Sequence, residues 1–399
     1  MYLCDGGRGG STRPYERAPE SPFVRSSPRL PTEFGETIID CVRPHCDNWF
    51  SYPEQSPTLL ACALTCRAWR PRAQLNIWKA VLFMHSERII AQFFVAARSD
   101  PLRLAPLVRT MCMHPLGEVS LGVFMGSTLP NLRVLTLEPE EVSWKTFPAR
   151  ASRMRLPLLA SVAQLPLFAC SFHTVKDVFD VVWTCASLER LTMLKCSFTR
   201  EHLTDADATR LSVMRKRPGA CERLTELKLC GHPFDRASTP SGSVFGSVVS
   251  KLDIAYWDLA ESVDSLPPII TSYASLQTLV LTGFILDTEI WNERPALIPS
   301  LAATLSNPAI LHTLVLHIET SYATDESTID TICGPDIADI ESGVSLRDVL
   351  CGLTRLEVRI AGVPFDSEKW WSTQISERLP CMRSVLAVYI TKIKEVGMW

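Results

Sequence analysis

A short apolar motif recurs through most of the chain and constrains the fold more than any other feature. The motif reads L-x-x-L-x-L, where L is Leu, Val, Ile or Met, and its two-residue period is that of a β-strand with one buried face. Two weaker copies, at 108–113 and 382–387, stand at the two ends of the series. Internal repetition of this kind is typical of a solenoid. The eight good copies lie at 132–137, 162–167, 188–193, 224–229, 249–254, 276–281, 311–316 and 353–358.

The segments between the motifs favour helices. The middle apolar residues of neighbouring copies are 25 to 42 residues apart, which leaves room for a strand, a turn and a helix. A βα unit cannot bury its apolar face alone, so neighbouring units must stack. The sequence therefore predicts an α/β solenoid from about residue 105 onward. The clearest helix has apolar residues at i, i+3, i+4, i+7 and i+8, namely Val175, Val178, Phe179, Val182 and Trp183.

Composition and charge exclude several classes of protein. Hydrophobic residues make up 46% of the chain, enough for a substantial core, and the formal net charge of −3 offers no basic surplus for a nucleic acid backbone. The 14 cysteines are spread along a long chain, unlike the disulfide framework of a small secreted domain. No signal-peptide pattern and no apolar run of about 20 residues is visible. We therefore expect an intracellular protein, cytoplasmic or nuclear, that binds neither membrane nor nucleic acid.

The N-terminal 83 residues differ from the repeats. Residues 1–29 are rich in Gly, Pro, Ser and Arg and predict a disordered leader. Helical spacing then begins near Leu30 and ends before Pro44, with Gly35 inside the helix at an expected cost of about 1 kcal/mol relative to alanine. A loop (43–57) precedes a second helix over about 58–70, which Pro71 is expected to stop or kink. A third apolar block (75–83) closes this part of the chain.

Four short pieces within residues 30–83 resemble the F-box in their order and spacing. They look most like the divergent form common in large fungal families, and the repeats that follow are similar to irregular leucine-rich repeats. Two features depart from the family pattern: Thr65 stands where an apolar β-branched residue is usual, and the loop 43–57 is longer than usual. The four pieces are Leu30-Pro31-x-Glu33, Ile38-Ile39, Leu64-Thr65-Cys66-Arg67-Ala68-Trp69 and Leu75-x-x-Trp78.

The resemblance implies a substrate-recognition subunit of a Skp–cullin–F-box ubiquitin ligase. Such a protein binds the Skp adaptor, and through it a cullin–RING ligase, and presents a target protein for ubiquitin transfer. No catalytic residue, cofactor or metal is expected. The implied domains are a disordered leader (1–29), an F-box helical module (30–85) and a leucine-rich-repeat-like, substrate-binding solenoid (86–399). The residues that match the adaptor-docking motifs are Leu30, Pro31, Ile38, Leu64, Cys66, Trp69 and Trp78.

The residues beside the middle apolar position of each strand are the candidates for binding a target protein. Successive side chains of a strand point to opposite faces, so these residues are expected to be exposed on the concave face of the solenoid. They mix both charge signs with small and apolar residues, which favours a protein partner, although any one of them could simply be solvated. The predicted substrate-binding residues are Arg190, Thr192, Glu226, Lys228, Lys251, Asp253, Thr278, Arg355 and Glu357, and Val280, Thr313 and Val315 occupy equivalent positions.

Catalytic and metal-binding patterns are the alternatives to a protein-binding role. Cys41, His45, Cys46, Cys62 and Cys66 have the residue types of a zinc site but not its paired C-x-x-C spacing. A nucleophilic cysteine and its histidine base can be far apart in the sequence, so such a pair is kept as an alternative, although no cysteine has a recognisable nucleophile context. Two rivals to the ligase subunit therefore remain: a repeat scaffold without adaptor binding, and a cysteine-dependent enzyme on a repeat scaffold.

Overall fold

A computed structural model defines the fold within the residues that it describes. The helices are α1 (Thr32–Cys41), α2 (Tyr52–Thr65), α3 (Arg70–Lys79), α4 (Val175–Val182), α5 (Glu326–Cys333) and α6 (Glu368–Arg378). The described residues are 32–42, 52–65, 67–83, 92–93, 95, 99, 104–113, 129–138, 157–172, 175–198, 220–230, 245–255, 273–286, 311–320, 326–333, 353–361, 368–379 and 383–391.

Eleven parallel strands form one sheet in the described part of the chain. Their order is β1-β2-β3-β4-β6-β8-β9-β10-β11-β12-β13, so the strands of this sheet follow one another in chain order, and β5 and β7 form a separate two-stranded sheet. This confirms the α/β class and is consistent with a solenoid. The strands are β1 (Ala80–Phe83), β2 (Thr110–Met113), β3 (Val134–Leu137), β4 (Gln164–Phe168), β5 (Ser171–Phe172), β6 (Arg190–Leu194), β7 (Ser197–Phe198), β8 (Glu226–Cys230), β9 (Lys251–Ala255), β10 (Thr278–Leu286), β11 (Thr313–Thr320), β12 (Arg355–Ala361) and β13 (Leu386–Thr391).

The apolar positions of the motif all point to one face of the sheet, which we call the core face. Leu191, Leu227, Leu252 and Leu279 pair side by side across β6, β8, β9 and β10, and each is buried. Helices α4 and α6 supply buried side chains to the same hydrophobic cluster. The eight strong copies of the motif are all strands, which confirms the two-residue period.

A repeated main-chain pattern sets the register at the start of each strand. The residue before a strand and the first strand residue both donate to one carbonyl of the preceding unit. Thr225 N and Glu226 N, for example, donate to Glu189 O at 2.9 and 3.1 Å. Equivalent pairs of bonds occur at β3, β4, β6 and β8 through β12. The same register therefore continues along the sheet although the connecting segments differ in length.

The second and third strong copies of the motif are followed by the same short sequence, and in both repeats this sequence forms a turn. The pattern L-x-x-L-x-L continues there as x-x-C-x-F, and the residues before the cysteines have positive φ angles, 48° in Ala169 and 53° in Lys195. The thiols of Cys170 and Cys196 are buried. Each thiol donates to a carbonyl oxygen on the strand of the preceding repeat. Cys170 Sγ donates to Leu137 O of β3 at 3.4 Å, and Cys196 Sγ donates to Leu167 O of β4 at 3.6 Å.

Pro166 lies inside the sheet rather than at an edge. Gln164 N donates to Arg133 O on the β3 side, and the donor two residues later would face the same way. Proline has no N–H, so this bond to β3 cannot form. The registered pairs between β3 and β4 are Val134–Gln164 and Leu137–Leu167, with the position of Pro166 left unpaired, whereas β4 pairs with β6 along its whole length.

Helices α1, α2 and α3 form a small cluster with its own core. Ile39, Leu59 and Ala73 are buried together, one from each helix. Asp40 accepts hydrogen bonds from Arg72 and from Asn76 Nδ2, the latter at 3.0 Å, which ties α1 to α3.

The structure corrects several boundaries near the N-terminus. Residues 80–83 form β1, which pairs with β2, so the last helix of this part of the chain ends at Lys79 and the end of the apolar block 75–83 is a strand of the sheet. Pro71 lies at the start of α3, where a proline is readily accepted, and it does not kink the preceding helix. Helix α2 begins at Tyr52 and ends at Thr65, earlier at both ends than predicted. The predicted leader (1–29) lies outside the described residues.

Candidate protein-interaction surfaces

Four large apolar side chains are exposed on α1 and α2. The exposed fractions are 62% for Phe34, 50% for Ile38, 54% for Leu60 and 79% for Leu64. In the small core, α1 buries Ile39, which follows Ile38, and α2 buries Leu59, which precedes Leu60. The helices thus have an inner apolar side that packs and an outer apolar side that does not. We call the four exposed residues the apolar helix surface.

The residues predicted to bind the adaptor divide into three groups. Ile38 and Leu64 belong to the apolar helix surface. Trp69 and Trp78 are half-buried and have packing roles: Trp69 contacts the three-helix core, while Trp78 packs on the sheet core and stacks on Phe93 at a centroid distance of 6.2 Å. Leu30, Pro31 and Cys66 lie outside the described residues. Phe34 and Leu60 are exposed residues that were not among the predicted site.

The side of the sheet opposite the core face, which we call the outer face, aligns the predicted substrate-binding residues in two rows. Thr110, Cys112 and Thr136 of this face are buried, so its first strands are covered, whereas the strands from β6 onward include the exposed side chains of Arg190, Lys251 and Arg355. The first row is Arg190, Glu226, Lys251, Thr278, Thr313 and Arg355, each in register with the next. The second row is Thr192, Lys228, Asp253, Val280, Val315 and Glu357.

One group of charges lies on β6, β8 and β9. Glu226 is flanked by Arg190 Nε at 3.4 Å and by Lys251 Nζ at 3.8 Å. Lys228 Nζ contacts Asp253 Oδ2 at 2.9 Å and forms a neutral pair beside them. The shared carboxylate of Glu226 leaves one positive charge in surplus. We call Arg190, Glu226 and Lys251 the first cationic cluster.

A second group of charges lies on β12, where alternate residues read Arg-x-Glu-x-Arg. Arg355 Nη2 contacts Glu357 Oε2 at 2.6 Å, and Arg359 Nε donates to Glu357 Oε1. Glu357 is only 3% exposed, which contradicts its predicted exposure, and its carboxylate contacts both arginines. The arginine side chains themselves are 52% and 42% exposed. We call these three residues the second cationic cluster, and it too has one surplus positive charge.

The strands between the two clusters, β10 and β11, carry an uncharged floor. It consists of Thr278 and Val280 on β10, opposite Thr313 and Val315 on β11. Val315 is 7% exposed and therefore buried, contrary to its predicted exposure, whereas the other three residues are partly exposed. The outer face thus presents two cationic clusters separated by hydroxyl and methyl groups.

His317 lies at the end of this floor and next to Arg359 in the sheet register. Burial and the nearby Arg359 charge lower the pKa of the imidazole, and Lys228 lowers it further, while Asp253 and Glu357 oppose the shift. The neutral ring is therefore favoured. Sequence reasoning missed both His317 and Arg359, although their two-residue spacing from Val315 and Glu357 places them on the same face.

Buried thiols dominate the cysteines of the described residues. Burial raises the pKa of Cys112, Cys196 and Cys333 to about 12. A nucleophilic cysteine instead needs a lowered pKa and access to solvent. Of the suggested zinc ligands, His45, Cys46 and Cys66 lie outside the described residues. Among the residues that are described, no group of three or more His, Cys, Asp or Glu side chains could hold a metal ion, and no helix is long and apolar enough to cross a bilayer.

No model of a known protein family matches the chain, and no curated protein sequence matches it either. What the protein binds is therefore inferred from its two surfaces, the apolar helix surface and the outer face of the sheet.

Proposed function

We propose that the protein is a non-catalytic substrate-recognition subunit of a Skp–cullin–F-box ubiquitin ligase. In this role the helices α1 to α3 dock to the Skp adaptor, and the outer face of the leucine-rich-repeat-like sheet binds a target protein. The subunit contributes proximity, because holding the target beside the ubiquitin-transfer machinery replaces a bimolecular encounter with a local one.

The apolar helix surface is the observation that carries the proposal. Three short helices whose shared core is built on Ile39, Leu59 and Ala73 would be poorly stabilised on their own. Their four large exposed apolar residues lie on a part of the chain that resembles an adaptor-docking motif. Burying such side chains against a partner removes apolar area from water, at roughly 25 cal/mol per Å².

Two further features support the proposal. The turns at Cys170 and Cys196 continue the strand motif with a cysteine at the position where leucine-rich repeats carry Asn or Cys. The buried thiols with raised pKa values are poor nucleophiles, which favours a binding role over a cysteine-dependent enzyme for the part of the chain that is described.

A pull-down of the full chain with purified Skp adaptor tests the docking role. The double variant Ile38→Glu/Leu64→Glu puts charges on exposed positions and should leave the fold intact, but it should reduce adaptor binding at least tenfold because the carboxylates would be desolvated in the complex. Val248→Glu changes another exposed apolar residue, 40% exposed and located before β9, and serves as the matched control. It should bind like the wild type.

Two results would overturn the docking role. One is the absence of binding by a wild-type chain that is folded by circular dichroism. The other is equal binding by the double variant. Either would favour the rival function, a repeat scaffold that binds its partner without joining a ligase.

A further inference from the structure

The charges on the outer face indicate which chemical groups a bound partner would carry, a point that the proposed function does not specify. Each cationic cluster has a carboxylate at its centre and two basic side chains around it. The carboxylates of Glu226 and Glu357 hold these basic groups in place. Each cluster nevertheless keeps one positive charge that no acidic residue of the cluster balances.

The second cluster is the better built of the two. Glu357 is buried, and its two oxygens contact different arginines. A guanidinium group carries five N–H donors, so most donors of Arg355 and Arg359 remain for a ligand. Arginine positioned in this way favours carboxylate and phosphate oxygens, because its planar donors match their geometry.

The distance between the clusters follows from the sheet. Neighbouring strands lie roughly 4.8 Å apart, so Lys251 on β9 and Arg355 on β12 are separated by about 14 Å, and Glu226 and Glu357 by about 19 Å or slightly more. The floor between them offers threonine hydroxyls and valine methyl groups and no charge. A ligand that crosses it must therefore be anionic at both ends and uncharged in the middle.

From this arrangement we propose that the outer face binds an extended segment of a partner protein that crosses β9 to β12 and places one acidic side chain in each cationic cluster. An extended chain rises about 3.3 Å per residue and turns alternate side chains to the same side. The two acidic residues are therefore four or six positions apart, spanning roughly 13 or 20 Å, with small apolar or hydroxyl residues between them. The proposal rests on the proposed function only in calling this segment part of the ligase target.

The proposal is tested by peptide selection. The full chain serves as bait for a phage library that displays random 16-residue peptides. Enriched sequences should carry Asp or Glu pairs at spacings of four or six. A synthetic peptide of the strongest sequence is then compared with a peptide in which one acidic residue is moved by a single position. The moved side chain would point away from the sheet, so affinity should fall at least fivefold.

Two neutralised variants assign each acidic residue to its cluster. Arg355→Gln/Glu357→Gln/Arg359→Gln removes the second cluster without leaving Glu357 as an unpaired buried charge, and Arg190→Gln/Glu226→Gln/Lys251→Gln removes the first. Each should weaken the selected peptide at least tenfold. A peptide in which one acidic residue is replaced by glutamine should lose its response to one variant and keep its response to the other. Arg109→Gln/Arg133→Gln, two exposed arginines beside β2 and β3, is the control and should leave affinity unchanged.

Several outcomes would overturn the proposal. They are a library that yields no acidic pairs, a selected peptide that tolerates the one-position shift, and affinity that falls equally in the control variant, which would indicate unspecific charge attraction. Adaptor binding separates this result from the proposed function. The cluster variants should retain it, and its absence from the wild type would contradict the ligase role without affecting the peptide measurements.

Discussion

Gly35 has a role that only the folded protein reveals. In the sequence it is a poor helix former in the middle of α1. In the structure a Cβ atom at this position would lie 2.2 Å from Trp69 Nε1 and 2.8 Å from Trp69 Cε2. The indole of Trp69 therefore occupies the space that a side chain would need. The glycine weakens the helix locally but allows the residue before α3 to pack against α1.

Gly35→Ala should destabilise the helical cluster. Alanine is the better helix former by about 1 kcal/mol, but overpacking against an indole typically costs about 1–3 kcal/mol, and the 2.2 Å approach leaves no room without a shift of Trp69. Hydrogen exchange of the α1–α3 amides in the full chain should become faster. Thr37→Ala, an exposed change in the same helix, should leave exchange nearly unaltered. Slower exchange in Gly35→Ala would show that helix propensity outweighs the contact.

For Glu357, the sequence predicted the face of the sheet correctly but not the exposure of the side chain. Its place on the outer face follows from alternation along β12, and this part of the prediction is correct. Its burial and its contacts with the arginines two residues before and after it are features of the folded side chains. Val315 is buried on the same face. Alternation predicts the face on which a residue lies, whereas exposure on that face depends on the neighbouring side chains.

At the level of elements, the strands were predictable and several helices were not. Every strong copy of the motif forms a strand, because a two-residue apolar period has few alternatives. Helix α4 was also predicted, since its apolar residues repeat every three to four positions. By contrast, α6 has Trp371 and Ile375 as its buried residues within eleven, too few for a clear pattern. Strand β1 was assigned to the helical module because the resemblance to the F-box extends over it, whereas the structure pairs it with β2.

Helix α4 offers a test of how strongly a helix stabilises the core face. Phe179 is fully buried, with its ring 5.5 Å from that of Trp183 and 5.4 Å from that of Phe245. Phe179→Ala should lower the free energy of unfolding by about 3–5 kcal/mol through lost burial and a residual cavity. Val248→Ala, at an exposed site near Phe245, should change it by less than about 0.5 kcal/mol. Urea unfolding followed by circular dichroism measures both, and a loss below 1 kcal/mol for Phe179→Ala would mean that α4 is not part of the cooperative core.

For the whole molecule, stability is distributed along a line rather than around a centre. One continuous hydrophobic cluster runs from Val81 of β1 to Val388 of β13, but each strand pairs with the strands before and after it. In such a structure, stability is approximately a sum of terms for each unit and for each contact between neighbours. A local defect should therefore affect nearby strands more than distant ones.

Leu252→Ala in β9 tests this distribution. The side chain is fully buried between Leu227 and Leu279, and its removal should cost about 2–5 kcal/mol. Hydrogen exchange should increase most in β8, β9 and β10 and least in β1 and β2. The matched variant Met111→Ala, in β2, should give the reverse distribution. Uniform acceleration in both variants would indicate that the sheet unfolds as a single cooperative unit.

Because the strands follow one another in the sheet as they do in the chain, the ribosome delivers them in the order of assembly. At roughly 5–20 residues per second, a spacing of about 30 residues supplies a new strand every few seconds. Each arriving strand of the described sheet therefore pairs with a strand that was synthesised before it. Until the next strand arrives, the strand added last has an unpaired edge in the described sheet.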